Sequence, residues 1–292
     1  MKEWIGREFS NVKIEKYLAE GSMSDVYLGW HKKHIRRVAV KILHARISED
    51  PQFMARFKTD AEALTAMSHS NIVQCLDCDV ADGRPYFIME MLEGSSLKDY
   101  MRGLDQLGYL LPLHVIVDLM WAIASAIDYA HEAGFIHLDL QPANIMLESK
   151  ILAVSPSASL PVPPDLQPII ADFGLASMAR ALHDESDGVF MVTPAYMSPE
   201  QIRGKEPGPR SDIYALGIVL YELLVGQHPF DSEDGDLTSL LDKHLNQPPP
   251  KMANVHPKIE AVIRKALEKK PRKRYKSVSA FAKRLAEVAS KY

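Results

Sequence analysis

Only two cysteines occur in the 292 residues, and they form a single Cys75-x-x-Cys78. A structural zinc site needs four ligands and no second pair exists, so this motif alone does not build one. Residues three apart on a strand also face opposite sides, so two plain thiols in a reduced compartment are the expectation. Long uncharged apolar runs are missing as well. None reaches the ~18 residues of a membrane span, and the nearest, residues 110–130, is interrupted by His114, Asp118 and Asp128. The opening Met1-Lys2-Glu3-Trp4 lacks the apolar core of a signal peptide, so a cytoplasmic location is expected. Neither charge sign dominates. With 34 Lys and Arg against 38 Asp and Glu, the net charge of -4 reads as spread rather than blocked, which argues against a nucleic-acid binder.

What is present is globular: 47% hydrophobic and 25% charged, in a chain long enough for two lobes and short for two independent domains plus a large appendage. Residues 1–92 read as strand-rich. Asp25–Trp30 alternates with period two and Arg37–Leu43 is β-branched, with a short basic turn between them, so a hairpin is predicted. From Asp50, as N-cap, and Pro51 at the first helical position, a helix is predicted to about Ser68. Two more strands are predicted near 72–79 and 85–91.

Residues 93–292 read as helical. Leu113, Ile116, Val117, Met120, Ile123, Ala124 and Ile127 keep helical spacing, and Ser211–Val225 is apolar nearly all round, as a central helix is. Two amphipathic helices between Ile259 and Ala289 are broken by Pro271. A proline- and serine-rich stretch at about 150–168 reads as an inserted loop.

Three motifs carry chemistry. His137-Leu138-Asp139-Leu140-Gln141-Pro142-Ala143-Asn144 places an amide five residues after an acid, and Asp172-Phe173-Gly174 follows 33 positions beyond Asp139. Val38-Ala39-Val40-Lys41 ends an apolar strand in a cation. Such parts hold magnesium on ATP and orient a hydroxyl nucleophile. In this order they resemble the eukaryotic-type (Hanks-type) Ser/Thr protein kinase family. The wording Tyr196-Met197-Ser198-Pro199-Glu200-Gln201 and Ala266-Leu267-Glu268-Lys269-Lys270-Pro271 is most similar to its bacterial members. The resemblance covers about residues 12–290. It implies an α+β, bilobal protein-kinase-like fold with a small β-rich lobe, one main helix in that lobe, and a larger helical lobe.

The family pattern implies the following roles. Asp139 orients the substrate hydroxyl and accepts its proton. Asn144 and Asp172 hold Mg2+ (or Mn2+), which favours hard oxygen ligands. Lys41 contacts ATP and pairs with Asp60 on the following helix; Glu62 stands about 200° further round. Ala19, Gly21, Val26 and Ala39 border the nucleotide, Met89 borders the adenine, backbone groups of Glu90 and Leu92 bond it, and Met146 forms the pocket floor. Thr193 and Glu200 belong to the activation segment that seats a protein substrate. His137 lies beneath Phe173, Asp212 braces the catalytic loop, and Glu200 pairs with Arg274.

Several positions depart from the pattern. Of the glycines in GxGxxG only Gly21 remains. Leu138 replaces the Arg that receives a phosphorylated loop, which makes this a non-RD sequence and predicts that loop phosphorylation is not the main switch. Gln141 replaces the catalytic-loop Lys. Loss of one such contact costs roughly 3 kcal/mol, on the order of a hundredfold in rate. The leading expectation is therefore an ATP-dependent Ser/Thr protein kinase of reduced or atypical activity. The alternatives are a pseudokinase that binds nucleotide or a partner, and a small-molecule phosphotransferase, against which the Thr193–Glu200 segment argues. The sequence names no substrate, regulator or oligomeric state.

Overall fold

The computed structural model describes residues 3–21, 23–150, 162–163, 165–173, 193–230 and 236–291. Most of the proline-rich insertion lies outside the described residues, as do Ser22, Gly174 and Val192. The chain forms two compact units. One runs to Glu93 and takes in Phe173; the other holds Gly94–Asp172 and the chain beyond residue 192.

The first unit is built on a six-stranded antiparallel sheet of order β1-β2-β3-β4-β6-β5. Its strands are β1 (Glu8–Phe9), β2 (Val12–Glu20), β3 (Ser24–His31), β4 (Arg36–Leu43), β5 (Cys75–Ala81) and β6 (Arg84–Glu90). Alternation sends Tyr27, Val38, Val40, Ile42, Tyr86 and Ile88 to one face, where they form a core with Val12, Ile14, Trp4 and Phe9. The short α1 (Ala45–Ser48) leads into α2 (Pro51–Ala66). α2 starts where capping chemistry places it: the Asp50 side chain accepts from the backbone N–H of Gln52 and Phe53. Its buried stripe is Phe53, Phe57, Ala61 and Leu64, and Phe57 meets Phe87 of β6 edge-on, with centroids 5.4 Å apart.

The two cysteines of β5 correct the alternation argument. A register shift between Cys75 and Asp77 puts Cys75 opposite Met89 and Cys78 opposite Phe87. The bulge absorbs one residue, so both thiols share a face. Burial pushes Cys75 up to about 12 and Cys78 up to about 11, so both stay protonated.

In the second unit, β7 (Ser95–Ser96), β8 (Ile145–Glu148) and β9 (Gln167–Ile170) make a small sheet. Pro168, expected in the inserted loop, instead pairs with Leu147 inside β9. β9 is an edge strand, where proline is tolerated. The base of the insertion is closed by Asp165, which accepts from Ser149 Oγ and from the Lys150 N–H. Among the described residues the α-helices of this unit are α3 (Leu97–Gln106), α4 (Leu113–Glu132), α5 (Pro199–Ile202), α6 (Pro209–Val225), α7 (Leu237–Asn246), α8 (Pro257–Ala266) and α9 (Val278–Ala289). By length and composition α4 could cross a membrane. Its apolar stripe is used internally: Ile116, Met120, Ile123 and Ile127 are buried, and the helix packs against α9. Asp128 on α4 caps α9 by accepting from the N–H groups of Val278 and Ser279. α6 is buried almost throughout, from Ser211 to Leu223.

Candidate active site

The sheet of the first unit gathers the expected nucleotide contacts on one face. Register aligns Ala19, Val26, Lys41 and Phe87 in one cross-strand row and Leu28, Ala39 and Met89 in the next. Cross-strand partners share a face, so Lys41 leaves the sheet on the side where Phe87 meets α2. It is only 5% exposed, which excludes a solvated strand end. Asp60 lies one turn beyond Phe57 on α2 and is half-buried, whereas Glu62 is exposed. Val26, Leu28, Ala39 and Met89 are partly accessible, in contrast to the sealed opposite face. Gly21, just past β2, closes a tight turn by donating to Ser24 O at 2.8 Å. A Cβ there would stand 3.2 Å from that carbonyl. Glu90 closes β6 and is tied to Gln74 by both its N–H and its carboxylate; Leu92 follows, half-buried. Phe173 is buried at 6% exposure.

In the second unit the loop expected to be catalytic, residues 137–144, hangs from α6. Asp212, fully buried near the start of that helix, accepts from the His137 N–H at 2.9 Å, the Leu138 N–H at 2.8 Å and His131 Nε2 at 2.7 Å. Gln201 of α5 donates to Leu138 O at 3.0 Å. These bonds hold Leu138 at φ 66°, a left-handed conformation that costs an L-residue roughly 1–2 kcal/mol. His137 Nδ1 accepts from the Asp139 N–H, so Nε2 is the end that donates to Ala171 O at 2.9 Å. That bond, with Ala171 N donating to Asn144 O at 2.9 Å, draws β9 and Asp172 beside the loop. Asp172 also has positive φ, at 65°.

Asp139 is the convergence point. Its Oδ1 accepts from the Thr193 N–H at 3.0 Å and Gln141 Nε2 at 3.1 Å, and its Oδ2 accepts from Asn144 Nδ2 at 3.0 Å. Burial pushes its pKa above the ordinary carboxylate range. The Thr193 N–H, His137 and Asn144 pull it down, and the nearby Asp172 adds to the rise. Because Asn144 commits its Nδ2 to the Asp139 carbonyl and carboxylate, its Oδ1 is the end that can meet a cation. Asn144 Oδ1 and the Asp172 carboxylate are both hard oxygen donors, which fit magnesium with its retained waters. Among the described residues, no group of three or more His, Cys, Asp or Glu gathers as a metal site. Met146 lies on β8, opposite Ser96 and Ile169.

Sequence reasoning missed two ties. Gln141 Nε2 also donates to Thr193 Oγ1 at 2.5 Å, bridging 52 residues of chain to the activation segment. Tyr196 Oη donates to both oxygens of Glu222 on α6, at 2.8 and 3.1 Å. Neither has a local motif. The Glu200–Arg274 pair is bidentate at 2.6 and 2.8 Å and almost wholly buried. Burial would raise the Glu200 carboxyl, but Arg274 and Ser211 outweigh it and hold it below its ordinary value.

Residues 12–285 match the protein kinase domain family. Serine/threonine-protein kinase Pkn1 of Myxococcus xanthus is 36% identical over 95% of this chain and 38% of its own length. Serine/threonine-protein kinase PknA of Mycobacterium tuberculosis is 32% identical over 94% of the chain and 61% of its own length. The chain thus spans less than two thirds of the length of either relative. The crystal structure of the M. tuberculosis PknI kinase domain superposes with a TM-score of 0.73 at 26% identity, covering 98% of each chain.

Proposed function

The chain belongs to the protein kinase domain family, and from that premise we propose that it transfers the γ-phosphoryl group of ATP to a serine or threonine hydroxyl of a protein, at a reduced rate. The observation that carries this reading is the Asp139 carboxylate, aimed by Thr193, Gln141 and Asn144 and standing beside Asp172. Asp139 orients the attacking hydroxyl and takes its proton as the bond to phosphorus forms. Magnesium, when bound by Asn144 and Asp172, neutralises charge on the phosphates. Lys41 holds the phosphates from the first unit. The sheet face carrying Ala19, Val26, Ala39 and Met89 takes the adenine, with hydrogen bonds to the backbone of Glu90 and Leu92. Thr193 links the acceptor-binding segment to the base directly.

Gln141 is the reason for slowness. It fills the place of a cation with a neutral amide, so it orients Asp139 and Thr193 without stabilising charge on the moving phosphoryl group. Leu138, buried and apolar, offers no partner to a phosphorylated loop. The same Gln141 tie favours a second reading, a pseudokinase: Asp139 Oδ1 already accepts two donors.

Transfer of radiolabelled phosphate by the purified chain to a general protein acceptor separates the two. With Mg2+ or Mn2+, wild type is expected to incorporate label, and Asp139→Asn is expected to lose it by about a thousandfold. Absence of label in wild type with either metal would leave the nucleotide-binding reading.

A further inference from the structure

The turn joining β3 to β4 departs from the even charge of the rest of the chain. Residues 32–37 read Lys-Lys-His-Ile-Arg-Arg, four cations in six positions of a chain whose net charge is -4, and all six are exposed. Register adds a fifth cation, because Lys13, Trp30 and Arg37 form one cross-strand row. Neutralisation is partial. Glu8 pairs with Lys32 and stands opposite Lys13 at the end of that row, while among the described residues Lys33, Arg36 and Arg37 enter no ion pair. This cluster revises the expectation that charge is nowhere blocked.

Two apolar side chains share this end of the hairpin. Ile35, beside the turn's apex, is 74% exposed and sits at φ 50°. A β-branched residue is a strained choice in that region, and the fold draws no burial from its side chain. Trp30, between Lys13 and Arg37, is 37% exposed. An aliphatic tip inside a ring of cations, with an indole set back along the strand, matches the layering of an anionic bilayer: acyl boundary, headgroups and surface charge. Nucleic acid would answer the cations and could stack on Trp30, but it offers no apolar medium for Ile35.

We infer that the β3–β4 turn docks the chain on an anionic lipid surface, with Ile35 entering the acyl boundary and Lys13, Lys32, Lys33, Arg36 and Arg37 meeting the headgroups. Attachment through one aliphatic tip and five cations is reversible and salt-sensitive.

Flotation of the full chain with phosphatidylcholine vesicles, with and without phosphatidylserine, tests this. Binding is expected only to the serine-containing vesicles at low salt, with release at high salt. Each cation removed should weaken it about fivefold, so the double variant Lys33→Ser, Arg36→Ser should bind about 25-fold less tightly. Ile35→Gly relieves the left-handed strain, so its melting temperature should hold or rise while vesicle binding falls, which separates docking from misfolding. Equal binding to neutral vesicles would overturn the inference, as would either variant floating like wild type. Retention of wild type on a single-stranded oligonucleotide, with an affinity that ignores Ile35→Gly, would assign the turn to nucleic acid instead.

Discussion

At the scale of single residues, the chemistry turns on what stands 3.1 Å from Asp139 Oδ1. Gln141 donates there and to Thr193 Oγ1 with the same nitrogen, so it keeps the geometry of the loop while supplying no charge. A lysine in its place would reach the same oxygens as a cation. Gln141→Lys is therefore expected to raise kcat on the order of tenfold to a hundredfold. Its sign on pH follows from the base: Asp139 acts as a carboxylate, its pKa is raised, and activity is lost as pH falls through that raised value. A neighbouring cation favours the carboxylate, so the acid limb of the variant's rate profile should move to lower pH. A kcat equal to or below wild type, with an unmoved limb, would show that Gln141 is not the deficit.

Helix α6 shows what an element contributes beyond its own stability. Near its start Asp212 suspends the catalytic loop, and three turns later Glu222 receives Tyr196 from the activation segment. Burial pushes the Glu222 carboxyl up to about 7, against the pull of the Tyr196 hydroxyl and of Lys98. The folded state therefore binds this proton more tightly than the unfolded chain does. The associated stability is full below the ordinary carboxylate range and is lost as pH rises through about 7. Glu222→Gln keeps an acceptor for Tyr196 without the charge. Its melting temperature should exceed wild type by roughly 3–6 °C above neutrality and match it in mild acid. A gain of equal size at both pH values would contradict this assignment.

Elements were legible in the sequence where their burial was one-sided and regular. α2 announced itself through Asp50-Pro51, and α6 through an apolar run buried from Ser211 to Leu223. β1 and β2 did not, because β2 carries two register shifts and is exposed along most of its second half, so period two never shows. α3 and α7 were also silent: the first buries only Leu97 and Tyr100, the second only His244, too few to print a 3.6-residue repeat. The site divides likewise. Asp139 and Asn144 stand five apart in one loop, a spacing the sequence prints directly, and Asp172 comes beside them only through the bonds of Ala171 after β9; the Gln141–Thr193 and Tyr196–Glu222 ties join distant segments and leave no local trace.

For the whole molecule, the proposed reaction begins with nucleotide binding, in which Lys41 and Asp172 are given separate tasks. A ligand that binds the folded chain and not the unfolded one raises the melting temperature by mass action. ATP with magnesium should therefore raise the Tm by a few degrees at saturating nucleotide, roughly 2–4 °C per kcal/mol for a chain of this size. ATP with a chelator should give a smaller shift, because the Asn144 and Asp172 oxygens then lack the cation that joins them to the phosphates. Lys41→Met should reduce the shift with or without metal, since a cation near phosphate acts in both. Asp172→Asn should reduce only the magnesium-dependent part. These two patterns distinguish a phosphate-holding lysine from a metal-holding carboxylate in a single melting series. If Asp172→Asn left the magnesium-dependent shift intact, Asp172 would lose its place as metal ligand, and the transfer mechanism would fall with it.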